Sequence, residues 1–527
     1  MNTRTLNFES LERRILLAGD VKAELKGGDL VVTGDRNVVD ANDRIEISSL
    51  GSGSYRVTGL DGTTVNGRAP GTPVDISGVT RHVKVDLKTG NNKVEILGAE
   101  GARFMVPGDL TVKTLLGSDE VRARYATVGG KVTVDVGAGN DTVTMQSLVA
   151  AKDVSIKSGD GGDVVSLSHS TLGGKLTVDT GNENDSVTID STTVEKDLSI
   201  KTGNGVDTAT MTDVTAKGKL TVDTGNDNDT VTIDHTAVEK DLSITTGNGD
   251  DLVLLQAVTA KGKVTVDTGN GEDRVGLFDG TTVDKDASLS TGNGDDVVGL
   301  KDTTIKGNLR VTSGNQQDAV GLAGGEVFGN ATLDAGNTDA VRGARDSVGL
   351  TGTRIRGDLN VRTGRGEDLV GAGNDTTLTD TIQTIFTEAF GSDLVGVILA
   401  GRVGVQGNAS FSTGDGSDDI GFFGVDVTGD ATVTSGKGGD ELHVVDSYAR
   451  RFKLDMGNDD DWASIEGGMA NAVDAIMGSG IDRLALNLTE APANVRLDGG
   501  TGEDTLDSRG HITKNDGVFV KNWELFV

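Results

Sequence analysis

The chain has no cysteine, only 4 prolines and only 3% aromatic residues among its 527 residues. Without cysteine, the protein can form neither a disulfide framework nor a thiolate site for metal or redox chemistry. Because aromatic rings are so few, platforms on which sugars could stack are nearly missing. That scarcity argues against a glycan-degrading enzyme.

Basic residues and long apolar runs are also scarce. The 49 lysines and arginines are outnumbered by 81 acidic residues, which gives a formal charge of −32. Nucleic acid binding needs a basic surface, so this balance argues against nucleic acid and favours metal cations as partners. No apolar run reaches the ~18 residues of a transmembrane helix. The sequence shows no convincing Ser/His/Asp frame, P-loop or dinucleotide motif, and its 5 histidines form no cluster at metal-ligand spacing.

What the chain does contain is one acidic corner, repeated many times. The stretch LTVDTGNDNDTVTID at 220–234 is matched by LTVDTGNENDSVTID at 176–190. The last aspartate of each corner, called the anchor here, recurs every 22 residues at first and every 21 to 28 residues later. The predicted anchors are Asp119, Asp141, Asp163, Asp185, Asp207, Asp229, Asp251, Asp273, Asp296, Asp318, Asp346, Asp368, Asp393, Asp418, Asp440, Asp461, Asp482 and Asp504. A fixed period of this size predicts a solenoid.

Apolar residues alternate on both sides of each corner, which predicts strands and not helices. Leu220 and Val222 precede one corner, and Val231 and Ile233 follow it. We therefore predict an all-β fold, a single-stranded parallel β-helix solenoid with about 22 residues per coil. We predict a right-handed solenoid, because parallel crossovers have that hand. The anchors predict about eighteen coils.

The repeat array is predicted to occupy residues 101–505. Residues 21–100 are predicted to form a β-rich N-terminal region and cap, and residues 506–527 a C-terminal cap. Caps are needed because an open terminal coil is an unpaired sheet edge. Residues 1–20 are predicted to be an export or targeting segment.

Charge alternates from coil to coil at the position ten residues before the anchor. This position holds Lys131, Asp153, Lys175, Asp197 and Lys219 in succession. Opposite charges on laterally adjacent strands stabilise a sheet by ~0.2–1 kcal/mol per pair. The alternation therefore predicts that residues 22 positions apart are neighbours.

The anchors themselves all carry the same charge, so stacking them requires an explanation. One hypothesis is turn chemistry, in which Asp and Asn accept hydrogen bonds from backbone amides and the preceding glycine supplies a positive φ. An amide ladder then runs along Asn182, Asn204, Asn226, Asn248, Asn270, Asn293 and Asn315. The other hypothesis is that carboxylates on adjacent coils share Ca²⁺, which prefers hard oxygen ligands. The two can coexist.

Several corners resemble the G-G-x-G-x-D-x-U-x nonapeptide of repeats-in-toxin proteins. They are VGAGNDTVTM at 136–145, GNGDDLVLL at 247–255 and GGTGEDTLD at 499–507. The resemblance implies Ca²⁺ bound between stacked turns, but that family has tandem nonapeptides and this chain has one per 22 residues. The residues predicted to bind Ca²⁺ are Asp141, Asp163, Asp185, Asp207, Asp229, Asp251, Asp273, Asp296 and Asp318, with the additional corner acids Asp227, Asp250 and Asp295.

The N-terminal stretch MNTRTLNFESLERRILLAGDV resembles the LEPR-XLL segment that opens many large, repetitive bacterial surface proteins. The matching positions are Phe8, Leu11, Glu12, Arg14, Leu16 and Leu17. Arg13 stands where that motif usually has proline. The resemblance implies export to the cell surface.

Two surface features are candidate binding sites. Arg342, Arg345, Arg362 and Arg365 form a cluster of positive charge in an acidic chain. They predict either internal charge compensation or a patch for an acidic glycan or a protein partner. A glycine stripe three residues after the anchor includes Gly276, Gly299 and Gly321. Glycine inside a strand often marks close approach by a ligand or another backbone. The stripe therefore predicts either a docking lane for another chain or a glycan, or composition drift among duplicated coils.

Together these features predict a non-enzymatic, exported structural or adhesive β-helix protein that binds Ca²⁺ at its Gly-Asn-x-x-Asp turns. The alternative is a polysaccharide lyase or glycoside hydrolase, which rests on analogy with other parallel β-helices. The only candidate region for such an enzyme is 342–368, where arginines flank Asp346, Glu367 and Asp368.

Overall fold

The computed structural model describes residues 19–34, 42–337, 345–373, 401–490, 492–508 and 518–526. The chain divides into two compact units, one of residues 1–174 with 179–181 and the other of residues 175–178 with 182–527. All regular secondary structure in the described residues is β-strand. The described residues include no helix that is long and apolar enough to cross a membrane.

The predicted fold class is confirmed, because the chain is an all-β parallel solenoid of about 17 turns with about 22 residues per turn. A regular turn contributes strands to three ladders. A ladder A strand runs up to the corner, a ladder B strand follows the anchor, and a short ladder C strand leads to the next turn. The corner residues therefore lie between ladders A and B.

In the first unit the strands are short and regular. Ladder A comprises Asp29–Thr33, Val83–Asp86, Leu110–Lys113, Val132–Asp135 and Val154–Asp160. Ladder B comprises Arg44–Gly51, Lys93–Leu97, Glu120–Arg124, Thr142–Gln146 and Val164–Ser168. Ladder C comprises Phe104–Val106, Ala126–Val128, Val149–Ala150 and Thr171–Leu172.

The second unit repeats this pattern, and the boundary between the units falls within its first strand. Ladder A comprises Leu176–Asn182, Leu198–Asn204, Leu220–Asn226, Leu242–Thr245, Val264–Asp267, Ala287–Ser290, Leu309–Thr312, Ala331–Asp334, Leu359–Arg362, Ala409–Asp415, Asp430–Lys437, Tyr448–Asp455, Met469–Ile476, Asn494–Asp498 and Val518–Lys521. Ladder B comprises Ser186–Asp190, Thr208–Thr212, Thr230–Asp234, Leu252–Gln256, Arg274–Phe278, Val297–Lys301, Ala319–Ala323, Ser347–Thr351, Leu369–Gly373, Asp419–Phe423, Glu441–Val445, Trp462–Glu466, Arg483–Asn487, Thr505–Asp507 and Leu525–Phe526. Ladder C comprises Thr193–Val194, Thr215–Ala216, Ala237–Val238, Thr259–Ala260, Thr282–Val283, Thr304–Ile305, Glu326–Val327, Arg354–Ile355, Val403–Val405 and Val425–Val427.

The strands pair in parallel and in the predicted register. Leu220 lies opposite Leu242 in ladder A, and Val231 lies opposite Val253 in ladder B. All four side chains are fully buried. Because successive residues of a strand point to opposite faces, the alternating apolar residues line the interior and the intervening residues face outward.

The predicted region 21–100 contains both antiparallel and parallel pairs. Asp20–Lys26 pairs antiparallel with Asp29–Thr33, and Ser54–Gly59 pairs antiparallel with Arg44–Gly51 and with Val74–Ile76. Thr64–Val65 pairs in parallel with the start of the first strand. Parallel solenoid pairing already begins here, because Leu30 lies opposite Val83.

One predicted coil does not exist. The strand Leu369–Gly373 of ladder B pairs directly with Asp419–Phe423. The prediction that Asp393 is an anchor of its own coil is therefore wrong. Residues 374–400 lie outside the described residues. A period counted along the sequence places one more coil between Asp368 and Asp418 than the pairing of the described strands allows.

The alternating charges form pairs between consecutive coils, as predicted. Lys175 Nζ lies 2.9 Å from Asp197 Oδ2, and Lys219 Nζ lies 3.5 Å from Asp241 Oδ2. Residues 22 positions apart are therefore stacked neighbours.

We expect reversal of one of these charges to destabilise the protein slightly. In Lys219→Glu a carboxylate would lie between Asp197 and Asp241. Because the Lys219–Asp241 pair is 61% and 41% exposed, the loss should be about 1 kcal/mol or less. Thermal melts at low and high salt would measure it, since salt screens exposed charges. The neutral variant Lys219→Gln should lose less, and an equal loss in both variants would contradict a role for charge.

Candidate functional site

The corner between ladders A and B is a tight bend with two residues of positive φ. In the corner at 225–229, Gly225 has φ +106° and Asp227 has φ +77°. A Cβ atom on Gly225 would lie 1.7 Å from the carbonyl oxygen of Gly203 in the preceding coil. Only glycine fits at this position, which confirms the predicted turn chemistry. The bend leads into the anchor Asp229, which is only 1% exposed.

Within each unit the anchors form a hydrogen-bonded column, called the aspartate ladder here. The backbone amide of Asp207 donates to Asp229 Oδ1 at 2.8 Å, and the amide of Asp229 donates to Asp251 Oδ1 at 2.8 Å. The same bond recurs at 2.7 to 2.8 Å in the first unit. In the second unit it recurs at 2.8 to 3.1 Å. Each anchor carboxyl thus caps an amide of the neighbouring coil.

Other residue types occupy two positions of this ladder. In the first unit Asn92 takes an anchor position, where its Oδ1 accepts the amide of Asp43 at 3.0 Å and its own amide donates to Asp119. In the second unit the amide of Asp504 donates to Glu524 Oε2 at 2.6 Å. The C-terminal segment therefore supplies the last acceptor.

In fifteen anchors the second carboxyl oxygen is buried without a hydrogen-bond partner among the described residues. This holds for Oδ2 of Asp119, Asp141, Asp207, Asp229, Asp251, Asp273, Asp296, Asp318, Asp346, Asp368, Asp418, Asp440, Asp461, Asp482 and Asp504. Burial raises the pKa of Asp229 to about 7 and the pKa of Asp318 to about 9, and repulsion between stacked anchors adds to the rise. The raised pKa values mean that the interior disfavours the charged form of these carboxyls.

Buried hydroxyl groups lie beside the ladder, five residues before the anchors. The members of this column are Thr114, Ser158, Thr180, Thr202, Thr224, Thr246, Thr268, Thr291, Ser313, Thr363, Thr413 and Ser435. Thr224 lies close enough to Asp229 to lower the pKa of that carboxyl, but burial raises it more. Thr202 Oγ1 donates to the carbonyl oxygen of Thr224 at 3.2 Å. This column was not predicted, although Ser or Thr before Gly-Asn is its visible signal in the sequence.

The predicted asparagine ladder is confirmed on the exposed side of the same corner. Asn226 Nδ2 donates to Asn204 Oδ1 at 2.7 Å, and Asn248 Nδ2 donates to Asn226 Oδ1 at 2.7 Å. The bond recurs between each successive pair from Asn182 to Asn315 at 2.6 to 2.8 Å. The corner is thus bonded from coil to coil on its inner and its outer side.

The additional corner acids predicted to bind Ca²⁺ are exposed and also accept backbone amides. Asp227 Oδ2 accepts the amide of Gly205 at 3.2 Å. Asp250 Oδ1 accepts the amide of Glu272 at 2.9 Å, and Asp295 Oδ1 that of Gln317 at 3.1 Å. Across the residues that the structure describes, no group of three or more His, Cys, Asp or Glu side chains could hold a metal ion. Ca²⁺ binding by the predicted residues stays a prediction from the sequence.

Two of the four candidate arginines belong to the region after ladder A strand Ala331–Asp334. Arg342 lies outside the described residues. Arg345 is exposed and favours the charged forms of Asp368 and Asp419, although burial raises the pKa of both carboxyls. This electrostatic interaction is with acidic residues of the chain itself, as internal compensation predicts.

The other two candidate arginines lie on adjacent parts of one coil. Arg362 lies opposite Ser412 in ladder A, and Arg365 lies opposite Asp415. Arg365 favours the charged form of Asp415, whose pKa is lowered mainly by a hydrogen bond from Lys437. The binding patch for an acidic partner stays a prediction.

The region predicted for an alternative enzyme does not present its central acid to solvent. Asp346 is 0% exposed, and its Oδ1 accepts the amide of Asp318 at 2.9 Å. Asp368 is likewise buried and accepts the amide of Asp346. Both residues are members of the aspartate ladder, so neither can reach a glycan on the surface.

The glycine stripe lies on the outward face of ladder B and is buried. Gly276, Gly299 and Gly321 are stacked in register. A Cβ atom on Gly276 would lie 2.5 Å from the ring of Phe278, which is 0% exposed. At Gly276 the close approach predicted from the sequence is therefore made by a side chain of this chain. A docking lane for a separate partner stays a prediction.

No known protein family matches the chain, and no curated protein sequence matches it. Among solved structures, the chain is similar to a hyperactive, Ca²⁺-dependent, β-helical antifreeze protein from an Antarctic bacterium. The two share 18% sequence identity with a TM-score of 0.33, over 59% of this chain and 85% of the other. At this level of similarity, functional conclusions rest on the geometry of the chain itself.

Proposed function

We propose that the protein is a non-enzymatic structural scaffold whose repeated corners hold its coils together. The aspartate ladder carries this proposal, because it uses the acidic side chains as acceptors for the amides of neighbouring coils. Acid–base catalysis requires a reactive group within reach of a substrate. The anchors instead repeat one buried contact from Asp185 to Asp504.

Export to the cell surface and an adhesive role belong to the same proposal. They are supported by the LEPR-XLL-like segment, which lies outside the described residues, and by the acidic composition. Ca²⁺ is the competing candidate for holding the corners together, and it is supported by the resemblance to repeats-in-toxin corners.

A thermal melt in EGTA and in millimolar Ca²⁺ separates these two accounts of the corners. Because the described anchors and corner acids already accept backbone amides, we expect the melting temperature to be the same in both buffers. A cation bound at 100 times its Kd would add ~2.7 kcal/mol per site and raise the melting temperature. A large Ca²⁺-dependent rise would contradict a metal-independent scaffold.

A degradation screen against acidic and neutral glycans tests the non-enzymatic part of the proposal. We expect no degradation by the purified chain. Degradation that is lost in Arg345→Ala, with an unchanged melting temperature, would contradict the scaffold and support a glycan-processing enzyme.

A further inference from the structure

Asn92 shows what the anchor position accepts when the residue is not an acid. Its Oδ1 accepts the amide of Asp43, as each anchor Oδ1 accepts an amide of a neighbouring coil. Its Nδ2 donates to the carbonyl oxygen of Gly90 in the same corner at 2.8 Å. At Asn92 the corner therefore supplies one donor for the side-chain oxygen and one acceptor for the side-chain nitrogen.

An ionised aspartate fits only half of this environment. A carboxylate has two acceptor oxygens and no donor, whereas a protonated carboxyl has one donor, as the Asn amide does. In Asp229 the Oδ1 atom has its donor from Asp207, and the Oδ2 atom is buried without a partner. An ionised Oδ2 would leave a buried charge uncompensated, which costs several kcal/mol.

The surroundings of Asp229 also favour the neutral form. The charged groups that act on it are the carboxyls of Asp207 and Asp251, and both raise its pKa. The Thr224 hydroxyl also lies beside the carboxyl and lowers its pKa, but burial raises the pKa more. The lone pairs of this hydroxyl can accept a hydrogen bond from the neutral carboxyl. Asp368 has a basic neighbour, because Arg345 acts on it, yet burial still raises its pKa.

A bound Ca²⁺ fits this environment poorly. Ca²⁺ takes 6–8 oxygen ligands at 2.3–2.6 Å. In Asp251, for example, Oδ1 already accepts a hydrogen bond from a backbone amide, and Oδ2 is enclosed by protein atoms. A proton needs no such space, and it turns the unpartnered oxygen into a donor.

We propose that the anchors of the aspartate ladder are neutral carboxylic acids, each donating the Oδ2 proton to a hydroxyl or carbonyl oxygen of its own corner. The ladder is then a column of uncharged groups, equivalent to stacked asparagines, and the repulsion expected from stacked carboxylates does not arise. A protonated anchor therefore adds no negative charge to the chain.

Substitution by asparagine tests this proposal directly. In Asp229→Asn the amide reproduces the donor and the acceptor of a protonated carboxyl, so we expect an unchanged or higher melting temperature near neutral pH. Asp229→Ala should melt at a lower temperature, because the Asp207 amide loses its acceptor and a cavity is left. Asp227→Asn, two residues away and exposed, is the matched control and should change little. If Asp229→Asn loses as much stability as Asp229→Ala, an ionised carboxylate is required and the proposal is wrong.

Infrared spectroscopy of the unmodified protein gives a second test that does not depend on a variant folding. Protonated carboxyl groups have a carbonyl stretch distinct from that of carboxylates. We expect this band at neutral pH, in EGTA and in Ca²⁺ alike, with lower intensity in a folded variant carrying several anchor Asp→Asn changes. Absence of the band at neutral pH, or its loss on addition of Ca²⁺, would overturn the proposal.

Discussion

We expect the melting temperature of the protein to fall as the pH rises from about 4 to about 9, because its buried carboxyls are more easily protonated in the folded chain than in the unfolded chain. An unfolded Asp has the ordinary pKa of 3.8, whereas burial raises the pKa of Asp251 to about 6, of Asp229 to about 7 and of Asp318 to about 9. A raised folded-state pKa gives stability that is complete below pH 3.8 and is lost as the pH passes through these raised values.

The expected size of this effect is large because the same shift recurs along the chain. One pKa unit corresponds to about 1.4 kcal/mol per group. The net stability of an ordinary domain is only about 5–15 kcal/mol. Even a fraction of the shift, summed over the anchors, would therefore change the melting temperature strongly.

Thermal melts across this pH range measure the effect, with circular dichroism at constant ionic strength. The matched control replaces Asp207, Asp229 and Asp251 by asparagine, which cannot titrate. Its melting temperature should fall less steeply with pH than that of the unmodified chain. A melting temperature that rises with pH, or equal slopes in both proteins, would contradict neutral anchors in the ladder.

Replacement of Gly225 by alanine is expected to destabilise the protein by about 3–6 kcal/mol, through backbone strain and a steric clash together. Gly225 has φ +106°, and an added Cβ would lie 1.7 Å from Gly203 O. The clash is with backbone, which cannot move aside without breaking the pairing of Gly203 with Gly225 in ladder A. Thermal and denaturant unfolding would measure the loss.

Two other glycines separate the two causes. Gly280 has φ +80° and open space around an added Cβ, so Gly280→Ala should show only the cost of backbone strain, about 1–2 kcal/mol. Gly404 lacks both the unusual φ and a nearby atom, so Gly404→Ala should be almost neutral. If Gly225→Ala is no worse than Gly280→Ala, the close approach between coils does not limit this position.

The sequence predicted the strands because their physical constraints are local and periodic. Leu220, Val222, Val231 and Ile233 follow the two-residue alternation of a strand, and all are 0% exposed. The pairing of Lys219 with Asp241 was predicted for the same reason, since the alternation of charge has a meaning only for stacked neighbours. The prediction of Asp393 as an anchor was wrong, because the period counted along the sequence does not hold where the length of the repeat changes.

The chemistry of the corner could not be predicted in the same way. A row of aspartates in the sequence is compatible with bound cations, with turn hydrogen bonds or with protons. The alternation that assigns inside and outside ends at the corner, where Gly225 and Asp227 bend the chain through positive φ. Composition therefore does not show which way the carboxyl of Asp229 points.

The sequence by itself determined the period, the inward apolar columns, the stacked charge pairs and the asparagine ladder, since each depends only on residues one coil apart in register. Only the tertiary structure shows that the side chain of Asp229 is buried, that its Oδ1 accepts the amide of Asp207 and that its Oδ2 has no hydrogen-bond partner among the described residues. Those contacts are set by the path of the backbone through the corner and by the enclosure of neighbouring coils, which no local pattern encodes.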